Sequence, residues 1–260
     1  MTVTESRPVR QRERRFGTLR RDVWWWPIVR DGVFLTVVLL YSAWATFDTR
    51  GFAVDNYISP IYTPCLASNC GEHANFVLFG DWYRLSPALL VAAFPIVFRA
   101  TCYYYRKVYY RAYFLSPPAC AVVEPAKKYK GESRFPLILN NIHRYFWVAA
   151  LPITLVLLYD GYHSLRFDDG WGLGVGSILI IVTAVLFALY TLGCHSCRHI
   201  LGGRLKNFSR HPLRYRAWTL VSKLNAKHGQ IALPSLAMVP ITDLYIRLVA
   251  NGVITDFRFF

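Results

Sequence analysis

Trp171-Gly-Leu-Gly-Val-Gly-Ser-Ile-Leu-Ile180-Ile-Val-Thr-Ala-Val-Leu-Phe-Ala-Leu-Tyr190-Thr-Leu-Gly-Cys194-His-Ser-Cys197-Arg-His199 decides how this chain must be read. From Gly170 to Cys197 no residue carries a formal charge if His195 is neutral, a stretch longer than the roughly 20 apolar residues that cross a bilayer core. The run ends in two thiols and two imidazoles, Cys194, His195, Cys197 and His199, where a membrane segment meets water. Thiolates suit iron-sulfur clusters, zinc and cuprous copper, and imidazoles suit haem iron, zinc and Rieske-type iron. A metal centre at a membrane surface is therefore the working expectation.

The composition around this run agrees with a membrane setting. In 260 residues, 54% are hydrophobic and 16% aromatic, yet the net charge is +15. The basic residues lie between apolar runs and not on one folded face, which favours a membrane protein with positive cytoplasmic loops over a nucleic-acid binder. The expected fold is all-α, an integral membrane bundle of five transmembrane helices with a cytoplasmic N-terminus. A basic arm (1–26) precedes a membrane domain (27–260) with spans at about 27–47, 85–105, 143–162, 171–199 and 229–249. Trp24-Trp25-Trp26 reads as an interfacial belt, and no small-residue cleavage site follows the first apolar segment, so it is not a signal peptide. The second span is interrupted by Pro87, Pro95 and Arg99; it requires Arg99 to snorkel toward headgroups and Tyr103-Tyr104-Tyr105 to mark an interface. The last is broken by Pro234 and Pro240 and carries Asp243 and Arg247.

The loops give the orientation. Arg106, Lys107, Arg111, Lys127, Lys128, Lys130 and Arg134 crowd one loop against Glu124 and Glu132, and Arg198, Arg204, Lys206, Arg210, Arg214, Arg216, Lys223 and Lys227 occupy another without an acid. Both loops belong in the cytoplasm by the positive-inside rule. Within the second, Pro212 to Ala226 shows a helical apolar stripe, suited to an interfacial helix or to a soluble partner. The segment from Asp48 to Arg84 is poor in basic residues and holds Cys65 and Cys70, which can form a disulfide if it faces an oxidising compartment. A metal pair with His73 is the rival reading.

This topology gathers chemistry at the cytoplasmic helix ends: Cys102, His143, Cys194, His195, Cys197 and His199, with Cys120 in the adjoining loop and His228 opening the fifth span. On a straight helix Cys194 and Cys197 share one face and His195 and His199 another, about 100° away. All four cannot serve one ion. The expected ligands are thus Cys194 with His195 or His199, completed by His143 and by Cys120 or Cys102, while Cys197 is the weaker thiol. Haem b would need His143 opposite His195 or His199, structural zinc would take any four, and a Rieske-type [2Fe-2S] cluster takes two Cys and two His. Cysteine as a small hydrophobe and histidine as a simple hydrogen-bonder form the bland alternative. Candidates by depth for contact with a quinone are Tyr104, Tyr105, Arg106, Arg144, Ser196 and Arg198, although arginines there equally suit anionic lipid headgroups.

Tyr103-Tyr-Tyr-Arg-Lys107, Ser116-Pro-Pro-Ala-Cys-Ala121, Asn141-Ile-His-Arg-Tyr145 and Gly193-Cys-His-Ser-Cys-Arg-His199 resemble the single-chain membrane anchor of an actinobacterial succinate dehydrogenase. The resemblance implies a multi-pass protein of the bacterial plasma membrane, in complex with a flavoprotein and an iron-sulfur subunit. It also implies reduction of a quinone, menaquinone or ubiquinone, at the cytoplasmic leaflet. A Rieske-type [2Fe-2S] cluster would stand in place of the haem b of better-known anchors, and a higher oligomer of the complex is compatible with it. No dinucleotide fingerprint is present, so the succinate chemistry falls to partner subunits. The competing readings are a cofactor-free structural anchor and a small transporter using Asp160, Asp243 and Arg247.

Overall fold

The computed structural model describes residues 18–125, 133–135, 137–203 and 205–260. Residues 1–17 of the expected arm lie outside them, as do Lys127, Lys128, Lys130, Glu132 and Arg204. The α-helices are α1 (Trp26–Phe47), α2 (Ala88–Ala100), α3 (Tyr103–Phe114), α4 (His143–His163), α5 (Val175–Leu192), α6 (His195–Gly202) and α7 (Pro212–Ala250). Among the described residues, four helices are long and apolar enough to cross a bilayer, or up to five if the bent pair α2 and α3 forms one span. The most apolar helix, α5, packs on both α4 and α7; α2 lies on α4, and α1 on α3 and α7. Polar side chains pin these contacts: Trp147 Nε1 donates to the Thr191 carbonyl (2.8 Å), and the Thr183 and Thr242 hydroxyls meet at 2.7 Å. In an apolar surround each such bond is worth about 0.6 kcal/mol and rarely above 2.

Three expected elements are corrected. The second span is not one helix over 85–105: α2 stops at Ala100, and α3 departs at 78°, carrying the tyrosines with it. Arg99 does not reach outward to headgroups but turns into the bundle, 8% exposed. The fourth span does not continue to His199, because α5 ends at Leu192 and α6 starts afresh at His195. The segment with the apolar stripe at 212–226 and the last span are one helix of 39 residues, α7. Its Pro234 and Pro240 remove two N–H donors without ending it, as membrane helices tolerate when neighbours re-satisfy the backbone. At 1.5 Å per residue α7 is about 58 Å long, so it must project well beyond a hydrocarbon core of about 30 Å.

One end of the bundle is closed by loops. Here lie the hairpin β1–β2 (Ala53–Val54 with Tyr57–Ile58), the hairpin β3–β4 (Arg166–Phe167 with Gly170–Trp171), and Cys65 bonded to Cys70. The C-terminal tail returns to this end, where Phe259 N donates to the Leu173 carbonyl (2.8 Å). Its Asp256 accepts from Tyr57 (2.7 Å), Tyr245 (2.6 Å) and the Gly176 N–H (3.0 Å). That places a carboxylate at the N-terminus of α5, where the helix dipole favours it. At the other end both helix breaks occur, and α1 begins.

Candidate functional site

The two breaks turn two cysteines inward. At the first, the Thr101 hydroxyl donates to the Val97 carbonyl (2.6 Å) and closes α2, and Cys102 adopts extended backbone (φ −68°, ψ 133°) before α3. At the second, Cys194 takes the same form (φ −63°, ψ 144°), and its sulfur accepts the Ser196 N–H (3.4 Å) as the N-cap of α6. Both thiols are buried, in one apolar cluster with Phe98, Tyr105, Trp147 and Tyr190. Gly193 makes the second break possible beside α7. A Cβ there would sit 2.8 Å from the Leu189 carbonyl and 3.3 Å from His228 Nδ1. Asn225 of α7 donates to the freed Gly193 carbonyl (2.9 Å).

Each inward thiol meets an imidazole. His143, the first residue of α4, places Nε2 3.2 Å from Cys194 Sγ. Its tautomer follows from the second nitrogen: the Thr101 hydroxyl already gives its proton to Val97, so Thr101 Oγ1 accepts from His143 Nδ1–H (3.0 Å). The Nε2 lone pair is thereby aimed at the thiol, the orientation a ligating histidine needs. His228, on α7, lies with Nε2 3.8 Å from Cys102 Sγ. Its ring stacks on Tyr190 (4.6 Å, 13°) and meets the edge of Tyr104 (5.2 Å). Cys102 and Cys194 belong to one buried cluster, so the two pairs adjoin. Burial pushes the Cys194 thiol up to about 11, which keeps it protonated at neutral pH unless a metal cation displaces the proton.

The site is polar but under-satisfied. His228 Nδ1 and the Tyr190 hydroxyl are buried without a hydrogen-bond partner among the described residues. Among those residues no three His, Cys, Asp or Glu side chains already converge as one ion would require. What stands at this end is two neighbouring thiol–imidazole pairs.

Of the ligands expected from sequence, Cys194, His143 and Cys102 come together here. His228 also comes here, although the expected set omits it; its position at the start of the fifth expected span is the available signal. His195 and His199 are exposed, and His199 Nδ1 faces Arg144 Nη2 at 3.3 Å. The premise of a straight helix through 194–199 fails, because the break sends Cys194 inward from the cap position while α6 carries the histidines away. Cys197 is buried in the shared cluster. Cys120 is exposed in the loop after α3, where its carbonyl accepts from Arg20 (2.9 Å).

The quinone candidates separate by how far their polar atoms are committed. The Tyr105 hydroxyl donates to the Ala232 carbonyl and accepts from Arg99. Arg198 donates to Ser222 (3.0 Å) and lies over Trp218. Arg106 lies over the Tyr103 ring, and Ser196 is buried beside Cys194. Tyr104, half-buried against Gly229 and His228, makes no hydrogen bond through its hydroxyl among the described residues.

Residues 27–252 match the family described as actinobacterial succinate dehydrogenase subunit SdhC. The chain belongs to that family. It is similar to a chain of the Mycobacterium smegmatis Sdh1 complex in the apo form, with a TM-score of 0.84 and 45% identity over 94% of each chain. No curated protein matches. As an SdhC-family protein with several membrane-length helices it is a multi-pass membrane subunit of a succinate dehydrogenase complex, an enzyme.

Proposed function

We propose that this SdhC-family chain is the membrane anchor and electron-transfer subunit of its complex. It receives electrons from an iron-sulfur subunit, which in turn serves a flavoprotein, and delivers them to a quinone. The observation that carries the reading is the buried set of two thiols and two imidazoles, Cys102, Cys194, His143 and His228, brought together by two helix breaks. Haem b would use two imidazoles and no thiol, and a single zinc ion would need four donors on one point. A Rieske-type [2Fe-2S] cluster takes two Cys and two His, and two adjoining pairs with orphaned polar atoms suit a binuclear group better than one ion. When bound, such a cluster supplies one-electron transfer at a potential raised by its histidines.

The protein's own part is to position. Thr101 sets the His143 tautomer, the N-cap of α6 holds Cys194, and the tight Gly193–His228 approach brings α7 to the thiols. Tyr104 is the donor we assign to a quinone carbonyl, and Arg106, Arg144, Ser196 and Arg198 are the further candidates at this end. The end bearing Arg106, Lys107, Arg111, Arg198, Lys206 and Lys223 is assigned to the cytoplasm, and the end with the Cys65–Cys70 bond to the oxidising side. The projecting basic part of α7 is the docking element for the soluble partners. The transporter reading loses its support, because Asp160, Asp243 and Arg247 are tied into the loop end: Asp160 accepts from Thr63 (2.8 Å) and Asn75 (3.0 Å), and Arg247 donates to Asp243 (2.8 Å).

The test is an EPR spectrum of the dithionite-reduced purified complex, with a pyridine haemochrome assay alongside. A Rieske-type signal that disappears in Cys194→Ser and in His143→Ala is the expected result. Haem without that signal, or a signal untouched by both variants, would sink the assignment.

A further inference from the structure

Arg99, in the last turn of α2, is a cation out of place. It is 8% exposed, and among the described residues no carboxylate pairs with it. A guanidinium cannot relieve its burial by deprotonation, and a buried charge without a counter-charge is among the costliest groups a fold can hold. Its hydrogen bonds, three among the described residues, all go to neutral partners. Nη1 donates to the Tyr105 hydroxyl, and Nη2 to the Ser235 hydroxyl (2.9 Å) and carbonyl (3.3 Å). Three aromatic rings surround Cζ: Tyr190 at 4.8 Å, Phe187 at 5.3 Å and Tyr105 at 5.6 Å.

One of those rings connects Arg99 to the site. Tyr190 lies under the guanidinium and also stacks on His228 at 4.6 Å, so less than about 10 Å separates Cζ from the His228 ring. No water-filled or salt-rich gap intervenes, since Tyr190 is fully buried. The two anchors of Arg99, Tyr105 on α3 and Ser235 on α7, come from the same elements that present Cys102 and His228. The charge is thus held rigidly with respect to the four ligand candidates.

We propose that Arg99 is the positioning cation of this site: held by Tyr105, Ser235 and the Tyr190 ring, its fixed charge stabilises the electron-rich state of the centre bound by Cys102, Cys194, His143 and His228 and raises its reduction potential. The proposal rests on the cluster reading given above. The charge balance is simple: one electron arrives from the iron-sulfur partner and leaves to quinone, and Arg99 neither gains nor loses a proton. The added electron makes the centre more negative by one unit. A unit charge about 10 Å away, at an effective dielectric of about 20, shifts that one-electron equilibrium by about tenfold, or about 59 mV.

The experiment is a redox titration of the purified complex followed by the EPR signal of the centre, in wild type, Arg99→Met and Arg99→Lys. Methionine keeps apolar bulk without charge, and replacing a buried charge by an apolar group is often tolerated. Arg99→Met is expected to lower the midpoint by about 59 mV with its g-values kept, while Arg99→Lys retains more than half of the wild-type elevation. A wild-type midpoint in Arg99→Met overturns the proposal and leaves the cluster reading intact. Absence of any Rieske-type signal from the wild-type complex overturns both. Should Arg99→Met not assemble, Arg99→Gln removes the charge and keeps hydrogen-bonding capacity toward Ser235 and Tyr105; a fall in midpoint supports the proposal and an unmoved midpoint overturns it.

Discussion

The two ends of this bundle bury charge in opposite ways. At the loop end Arg247 faces Asp243, and its remaining donors reach the carbonyls of Ala45 (2.9 Å), Asp48 (2.9 Å) and Arg50 (2.7 Å). Asp243, fully buried, is completed by Tyr41 (2.7 Å) and Ser59. At the break end Arg99 has aromatic faces and neutral acceptors, and His228 Nδ1 and the Tyr190 hydroxyl have no hydrogen-bond partner among the described residues. A network that satisfies every member works as a clamp, since there is nothing left for a ligand to do. Buried polar atoms left unpaired among the described residues, beside a backbone discontinuity, set the break end apart from that clamp.

That contrast can be broken by substitution, and the largest effect belongs to the break end. Cys194→Ser or His143→Ala should abolish the metal signal and succinate-dependent quinone reduction, yet cost the fold no more than the roughly 1.5 kcal/mol of a lost hydrogen bond, read as thermal unfolding in detergent. A loss of folded complex in both variants would show that the pairs are structural. Next in size is Asp243→Ala, which strands Arg247 in the interior and should destabilise by about 3–5 kcal/mol while leaving the EPR signal of residual protein unchanged. Adding Arg247→Met should recover most of that loss; failure to recover would mean that the network matters for more than its charge balance.

Smaller effects sharpen the same line. Cys65→Ser opens a short loop and should cost about 2 kcal/mol by the chain-entropy estimate, and a reductant applied to the wild type should reproduce the shift. Equal unfolding curves with and without reductant would remove the bond from any structural role. Tyr104→Phe, back at the break end, should raise the KM for quinone about fivefold, a single hydrogen bond of about 1 kcal/mol, with the metal signal unmoved. An unchanged KM would take Tyr104 out of the quinone pocket.

Much of the scaffold could be read from residue order because membrane crossing is a local property: a long apolar run such as Ile178–Leu192 must be a helix, wherever its neighbours are. The helix breaks were not legible. Nothing in the periodicity around Cys102 or Gly193-Cys194 distinguishes a turn from a continuing helix, and at each break a residue just beyond it, Tyr105 or Ser196, is buried. Prolines misled in the opposite sense, since Pro234 and Pro240 suggest an interruption that α7 does not make. For the site, Cys194, His143 and Cys102 could be placed at one depth from the topology. His228 needed tertiary information: its approach depends on the absence of a side chain at Gly193.

The unbroken course of α7 has a last consequence. His228 and Asp243 are fifteen residues apart on one helix, so the break end and the loop end are held about 22 Å apart. An electron that enters and leaves at the level of His228 crosses little of the bilayer. A membrane potential of 100 mV, which would shift a full crossing by about 2.3 kcal/mol per charge, therefore has almost no grip on chemistry at this end. In the function proposed above, succinate-derived electrons would reach the membrane without doing electrical work across it.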